Sequence, residues 1–276
     1  FFGEVSYDVT DRLTATVGAR MFESEFSSPG GGWAGYFYNS KASDDAPGNS
    51  GSTDDMIYKF NLTYDVSDNL LAFFNYAEGF RPGGGNTEGA TNPNVPETYQ
   101  PDVLDSYEFG WKMRFDDGRT TFNGAVYHME WTDFQTSIYD LLISPLIFRA
   151  NAGNAEVDGI EAELNTLVGE RLMLGVGATY NQSQLTKDFN STVDPDVVWA
   201  PKGRRLPYSP ELRYSANARY TWEQGNDASG YAHISYSYTD DMWNLLITEP
   251  FQADAVPRLQ DPDSIVDVRV GWEFSN

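Results

Sequence analysis

Apolar and polar side chains alternate along several long stretches of this chain. In residues 13–21, Leu13 and Val17 fall on one side, and Thr14 and Thr16 fall on the other. The same alternation recurs in 56–66, 107–116 and 211–222. A two-residue period puts successive side chains on opposite faces of a β-strand, and a helical period fits none of these stretches. The pattern therefore predicts strands with one apolar and one polar face.

Short polar clusters divide the alternating stretches at intervals of about fifty residues. These clusters are Thr10–Asp11, Ser67–Asp68, Asp116–Gly118, Gly169–Glu170 and Glu223–Asp227. Such clusters between alternating runs are typical of hairpin turns. The other connections are long polar segments at 25–54, 81–103, 135–155, 186–209 and 242–262. We therefore expect tight turns at one end of a sheet and long loops at the other.

The length of the predicted strands separates a membrane barrel from soluble β-folds. They run to about twelve residues, whereas soluble strands most often have about 5–6 and a strand that crosses a bilayer needs about 9–11. Outer-membrane barrels also combine short periplasmic turns with long external loops. A soluble β-sandwich explains the alternation but neither the strand length nor the one-sided loops, and a propeller needs four short strands per repeat. The sequence predicts an all-β fold, a transmembrane antiparallel up-and-down β-barrel to which this chain contributes about eleven strands.

The charge balance narrows the classes of partner. Acidic residues outnumber basic ones 41 to 18, which gives a net charge of −23. Nucleic-acid binding needs a basic surface, so we expect no nucleic-acid partner. The acidity fits either solvated loops or attraction of cations. Three pairs of neighbouring acids are candidates either for calcium binding or for solvated loop charge: Asp44–Asp45, Asp54–Asp55 and Asp240–Asp241.

Other compositional features concern redox chemistry, targeting and membrane helices. The chain has no cysteine, so it offers neither a disulfide framework nor a thiolate metal site. It contains no run of about 18 apolar residues that would predict a membrane-spanning helix. Residues 1–10 lack the charged and apolar regions of a signal peptide, and we expect the chain to start within a strand of something longer.

Catalytic chemistry finds little support in the sequence. His128 and His233 are the only histidines, and neither has a metal-ligand spacing. The glycines at 83–85 do not lead from a strand into a helix, which a phosphate-binding loop would require. We therefore expect no enzyme activity, no catalytic residue, no metal site and no cofactor.

Four stretches of the sequence resemble the β-barrel of TonB-dependent outer-membrane receptors, in the same order and with similar spacing. They are YAEGFRPGGGN (76–86), PDVLDSYEFGWKMRF (101–115), NAGNAEVDGIEAEL (151–164) and LPYSPELRYSANARY (206–220). The resemblance implies a 22-stranded barrel with a plugged lumen, located in the outer membrane of a Gram-negative bacterium. It also implies contacts with lipid and lipopolysaccharide, with TonB through a plug domain, and with an extracellular small-molecule ligand.

The chain differs from the family in extent. We expect residues 1–276 to belong to the barrel domain alone, because neither a plug domain nor a TonB-contacting box precedes Phe1. The last stretch, SIVDVRVGWEFSN, resembles a strand that reaches its turn more than the aromatic-terminated final strand of the family.

Strand 70–81 supplies the first candidates for contact with a ligand or a plug. Leu70, Ala72, Phe74 and Tyr76 are assigned to the lipid face, and the opposite face ends at Gly79 and Arg81. Pro82 and the glycines end the strand. Arg81 is expected to pair with a plug carboxylate or an anionic ligand, or to lie in solvent or on lipopolysaccharide phosphate.

Loop residues supply the remaining candidates. Asn86 follows the glycines, and aromatic residues in loops make adaptable contact surfaces, although they equally pack loop against loop. The loop candidates are Asn86, Trp33, Tyr36, Tyr38, Trp199 and Trp243.

Two functions from different classes follow. The first is energy-coupled uptake of a siderophore, haem, cobalamin, saccharide or similar scarce solute, and the alternative is a passive porin or an adhesin-type barrel without energy coupling.

Overall fold

A computed structural model of the protein describes most of the chain. The described residues are 1–28, 49–86, 92–138, 143–144, 146–224, 228–247 and 258–274. Within these ranges, no helix is long and apolar enough to cross a membrane.

Eleven long strands, counted over the described residues, form one sheet. They are β1 (Phe2–Thr10), β2 (Leu13–Ser28), β3 (Asn49–Ser67), β4 (Leu70–Arg81), β5 (Asp102–Phe115), β6 (Thr120–Thr132), β7 (Ala155–Val168), β8 (Leu172–Leu185), β9 (Leu212–Glu223), β10 (Ala228–Thr239) and β11 (Asp263–Phe274). Each strand pairs antiparallel with the next one along the chain. This up-and-down order confirms the predicted topology.

The strand register confirms the two predicted faces. Phe60 on β3 pairs with Val17 on β2 and with Tyr76 on β4, so apolar residues lie beside apolar residues across three strands. This face is uncovered: Val17 is 54% exposed, and Val268 on β11 is 67% exposed. The opposite face carries polar side chains, including Asn61, which pairs across β3 and β4 with another asparagine. An uncovered apolar band on one side of long tilted strands is the surface that a barrel presents to lipid.

The predicted hairpin turns lie where the sequence placed them. Turns join β1 to β2 and β3 to β4, and a short 3-10 turn at Asp116–Gly118 joins β5 to β6. Asp117 there has a φ of 51° and Gly118 a φ of 85°, which suits the small and acidic residues of the cluster. The turn after β9 falls partly at 225–227, outside the described residues.

The predicted loop at 25–54 was too long. Strand β2 continues to Ser28 and β3 begins at Asn49, with Asp54 paired to Glu23 and Asp55 paired to Phe22. The acids at 54 and 55 therefore lie on a strand, whereas Asp44 and Asp45 lie outside the described residues. This extension was hard to predict because residues 49–55 of β3 include no apolar side chain, and Phe22 and Phe26 of β2 fall on the face that carries Thr14 and Thr16.

The described parts of the long loops pack into a hydrophobic core at the other end of the sheet. Its buried members are Val95, Phe134, Ile138, Phe148, Ala150, Ala152, Ala155, Leu185, Phe189, Trp199, Ala200, Leu206, Leu246 and Ile247. Within the loop residues that the structure describes, four short strand pairs occur: Gly84–Gly85 with Thr98–Tyr99, Gln135–Ile138 with Phe148–Asn151, Phe189–Asn190 with Val198–Ala200, and Met242–Trp243 with Leu259–Gln260. The described loop segments thus form a packed structure rather than a set of separate coils.

Candidate functional site at the loop end of the sheet

Arg81 forms an ion pair inside its own chain. It is the cross-strand partner of Asp102, the first residue of β5. The Nε atom of Arg81 donates to both carboxylate oxygens of Asp102, at 3.0 and 2.9 Å, and Nη2 donates to Oδ2 as well. Asp102 is 1% exposed, while the side chain of Arg81 is 46% exposed. A buried carboxylate of this chain therefore already binds the guanidinium in the bidentate manner. Contact of Arg81 with a plug carboxylate or an anionic ligand stays a prediction.

Gln135 joins the Arg81–Asp102 pair to the next loop. Its backbone N–H donates to Asp102 Oδ2 at 3.0 Å, and its carbonyl accepts from Arg81 Nη2 at 3.1 Å. Its side-chain Nε2 donates to the carbonyls of Pro82 and Gln100, at 3.1 and 3.0 Å. The ends of β4, β5 and β6 are therefore held together by one hydrogen-bonded network.

Two aromatic rings lie beside the guanidinium of Arg81. The guanidinium carbon lies 4.8 Å from the ring centre of Trp131 and 5.7 Å from that of Phe134. The two rings meet edge to face with centroids 4.6 Å apart. A guanidinium over aromatic faces is stabilised electrostatically, so Arg81 is restrained on several sides. The sequence signal that was missed is Asp102 itself, which lies in one of the four family-like stretches.

Gly79 lies on the same polar face as Arg81. A Cβ added to it would lie 3.9 Å from the carbonyl oxygen of Leu104 and 4.0 Å from its Cβ, both ordinary contacts. The wall beside Gly79 therefore has room for a small side chain. Contact of Gly79 with a ligand or plug stays a prediction.

Asn86 ties two loops together. Its side-chain Oδ1 accepts from the N–H of Arg149 at 2.8 Å, and Nδ2 donates to the carbonyls of Arg149 and Pro96, at 2.8 and 2.9 Å. Asn86 is 6% exposed. The structure thus gives this candidate a loop-bracing position, buried between 82–101 and 143–151.

Replacing Asn86 with alanine is expected to loosen these loops without unfolding the sheet. The change removes three hydrogen bonds, each contributing about 0.5–1.5 kcal/mol, and leaves partly buried backbone groups of Arg149 and Pro96 unpaired. Hydrogen exchange of the full receptor checks this, with faster exchange expected in 92–100 and 146–151. Asn94→Ala is the matched control, since Asn94 is exposed. Equal exchange in the two variants would contradict the bracing role.

The two described loop tryptophans have different surroundings. Trp199 is 1% exposed and packs edge to face on Phe189, with centroids 5.3 Å apart, which favours the loop-packing alternative for this residue. Trp243 is partly exposed, and the guanidinium of Arg204 lies 4.0 Å from its ring centre. The other three aromatic candidates, Trp33, Tyr36 and Tyr38, lie outside the described residues.

A second cationic network holds the loop before β9. Arg204 donates to the carbonyls of Leu245 and Leu246, at 3.1 and 3.2 Å. Arg205 Nη1 lies 2.9 Å from Asp241 Oδ1. Burial and the neighbouring Arg205 lower the pKa of Arg204, although a guanidinium stays protonated at neutral pH. Sequence reasoning missed these arginines, because their partners come from a different loop.

The histidines are wall residues. His128 lies on β6, with Nδ1 2.8 Å from Asp158 Oδ1 on the neighbouring strand β7. His233 lies on β10, paired with Arg219 and Arg269. Across the part of the chain that the structure describes, no group of three or more His, Asp or Glu side chains is arranged to hold a metal ion.

A protein-family model matches the whole of this sequence. The family model described as "TonB dependent receptor-like, beta-barrel" matches residues 1–276. The chain belongs to this family. Its relatives are receptors, which agrees with the expectation that the chain is not an enzyme.

Individual TonB-dependent receptors give the degree of similarity. The ferric-pyoverdine M114 receptor PbuA of Pseudomonas sp. (strain M114) is 28% identical over 209 residues, which cover 67% of this chain and 24% of that receptor. The probable TonB-dependent siderophore receptor PiuA of Acinetobacter baumannii is 27% identical over 145 residues, 51% of this chain and 19% of PiuA. The matched part of this chain therefore spans about a quarter or less of these relatives' own length.

Solved structures of the family share the fold at low sequence identity. The ferric yersiniabactin uptake receptor FyuA of Yersinia pestis superposes with a TM-score of 0.69 at 16% identity, over 99% of this chain and 38% of FyuA. The copper transporter OprC gives a TM-score of 0.68 at 13% identity, over 97% of this chain and 39% of OprC. The eleven-stranded sheet thus corresponds to part of a receptor barrel.

Proposed function

We propose that this chain forms part of the wall of an outer-membrane receptor of a Gram-negative bacterium, which takes up a scarce solute with energy supplied through TonB. The observation that carries the proposal is the family match over residues 1–276. The names of two relatives, a ferric-pyoverdine receptor and a probable siderophore receptor, favour a metal–siderophore complex as the solute. Contact with TonB is expected from parts of the whole receptor other than these strands.

The outward face supports the placement in a membrane. Glu78, Asp105 and Glu130 are cross-strand neighbours near the loop end, and carboxylates belong outside the hydrocarbon. The hydroxyl of Tyr76, two residues before Glu78 on the same face, lies 2.6 Å from a carboxylate oxygen of Glu78 and 2.8 Å from one of Asp105. Aromatic rings at the boundary of an apolar band form the girdle of outer-membrane barrels. We therefore place the acidic row at the level of the lipopolysaccharide headgroups.

Growth of a deletion strain tests the proposed uptake. Under iron limitation the strain is offered ferric siderophores and haem, and in separate media cobalamin or a saccharide as the limiting nutrient. We expect loss of growth on one solute class, restored by the intact gene. A general loss of permeability to small solutes would instead support the porin alternative, and unchanged growth on all solutes would contradict the proposal.

The direction of the loops gives a second expected result. A peptide tag inserted after Gly48 should bind antibody on intact cells, because the long connections face outward. A tag inserted between Asp117 and Gly118 should bind only after the outer membrane is opened. Antibody binding and immunofluorescence check both insertions, and the reverse pattern would refute the orientation.

A further inference from the structure

A groove of about 450 Å³ lies on the polar face of the sheet, just inside the loop end. Its volume is in the range of small-molecule sites, about 300–1,000 Å³. The residues that give it chemical character are Glu108, Tyr127, Glu161, Asn181, Tyr208 and Arg213. They come from five neighbouring strands, β5 to β9, and from the loop before β9.

The strand register explains how the groove forms. Glu108 on β5 pairs with Tyr127 on β6, which in turn pairs with Gly159 on β7. The ring of Tyr127 lies over Gly159, in the space where a larger residue would carry its Cβ. Glu161 lies two residues further along β7 on the same face. An aromatic ring is therefore held flat on the wall between two carboxylate-bearing strands.

The charged side chains of the groove lack ion-pair partners among the described residues. The ion pairs that the structure describes involve other acids and bases, and none includes Glu108, Glu161 or Arg213. Arg213 is separated from Glu161 by Thr179 of β8, with which both residues pair directly. Two strand spacings amount to about 9–10 Å. The groove thus has an acidic side and a single base on the opposite side.

Tyr208 overhangs the groove on a strained but fixed loop. Its φ is 56° and its side chain is 65% exposed, whereas a bulky non-glycine residue seldom adopts a positive φ. Its N–H donates to the carbonyl of Trp243 at 2.8 Å, and Asn181 donates to the carbonyl of Pro210 at 2.9 Å. Strain of this kind persists where surrounding contacts enforce it, and it occurs often at binding sites.

We propose that this groove is a ligand subsite that receives a positively charged nitrogen of the transported solute. Glu108 and Glu161 supply the negative charge, and the rings of Tyr127 and Tyr208 supply faces that attract a cation. Arg213 binds an acceptor oxygen of the same solute from the opposite side. The inference rests on the proposed uptake function and adds to it the chemical class of the solute: a complex that carries a protonated amine.

Cysteine labelling of the full-length receptor in outer membranes tests the groove with defined probes. Thr179→Cys places a thiol between Glu161 and Arg213. The variant is treated separately with two methanethiosulfonate reagents, one that carries a cationic quaternary ammonium and one that carries an anionic sulfonate. The rate of labelling by the cationic reagent is divided by the rate for the anionic reagent, and this ratio is then divided by the same ratio for free cysteine. Changes in the thiol's own reactivity cancel in this ratio, because both reagents attack the same thiolate.

Removing the acidic side chains of the groove and removing its arginine are expected to change the labelling ratio in opposite directions. We expect the normalised ratio to favour the cationic reagent by about threefold to tenfold. The double variant Glu108→Gln/Glu161→Gln should remove the preference, and Arg213→Gln should increase it. Asp267→Asn, the same loss of charge on β11, is the matched control and should change the ratio little, because β11 is three strands away from position 179 and salt screens distant charges.

Two results would overturn the proposal. A ratio that does not respond to Glu108 and Glu161 would show that the groove has no preference for cations. A thiol at 179 that does not react at all would show that the groove is filled in the whole receptor. Labelling does not depend on transport, so either result leaves the uptake proposal standing. Failure of TonB-dependent uptake would conversely leave the labelling rates unchanged.

Discussion

Replacing Ile234 with lysine is expected to lower the free energy of unfolding of the receptor in lipid by roughly 2–4 kcal/mol, the cost of a lysine near the bilayer midplane. Ile234 lies in the middle of β10, is 50% exposed, and pairs with Val268 and Ala218 on the apolar face. The lysine would have no partner there except hydrocarbon. Val17→Arg on β2 should have an effect of the same size, and folding titrations in lipid vesicles measure both.

The adjacent residue provides the control. Ser235 lies on the polar face, paired with Asn217 and Asp267, so Ser235→Lys should change stability far less and gain a nearby carboxylate. The comparison keeps the strand, the depth and the new side chain constant, and changes only the face. Equal stability of Ile234→Lys and Ser235→Lys would contradict the assignment of the lipid-facing and polar faces of the sheet.

Arg81→Ala is expected to be the most damaging single change at the loop end. Removing one partner of a buried ion pair costs about 3–5 kcal/mol, because the other charge is left unpaired. Here the cost should fall near or below the lower end of that range, since Arg81 is 46% exposed and water screens part of the interaction. Arg81→Lys should recover only part of the loss, because an ammonium cannot make the two-pronged contact.

A double-mutant cycle separates the ion pair from other effects. Asp102→Ala in the Arg81→Ala background should cost much less than Asp102→Ala alone, since its guanidinium partner is already absent. The stabilities of the wild type, the two single variants and the double variant are measured by thermal unfolding of the full receptor. Unfolding is detected as a change of mobility on gels loaded without boiling. Strict additivity would contradict the coupling that the structure describes.

The wall of the barrel could be predicted from sequence because its determinants are local. Phe60 is apolar, its neighbours at 59 and 61 are polar, and this alternation alone assigns it to a strand and a face. The turns at 116–118 and 169–170 could also be predicted from the sequence, because the acidic residues and glycines there tolerate a positive φ. The outer part of β3 escaped notice where the alternation lost its apolar positions.

The loop end could be predicted only in part because its determinants are distant. The sequence pattern places Arg81 at the end of a strand, but its partner Asp102 and the bridging Gln135 are 21 and 54 residues away. The sequence pattern groups Trp199 with the other loop aromatics, although in the structure a core made by several loops covers it. Tyr208 carried no signal at all, since its backbone conformation follows from hydrogen bonds to another loop. The ligand contacts of Gly79 and Trp243 stay predictions.

The most direct measurement of the central claim is the initial rate of uptake of the radiolabelled solute that the growth assay identifies. It is measured at limiting concentration in cells that contain TonB, in cells that lack it, and in cells that lack the receptor. The proposal predicts saturable uptake that falls, without TonB, to the background of the receptor-deleted strain. Uptake that persists without TonB and rises linearly with external concentration would identify a passive pore and contradict the account.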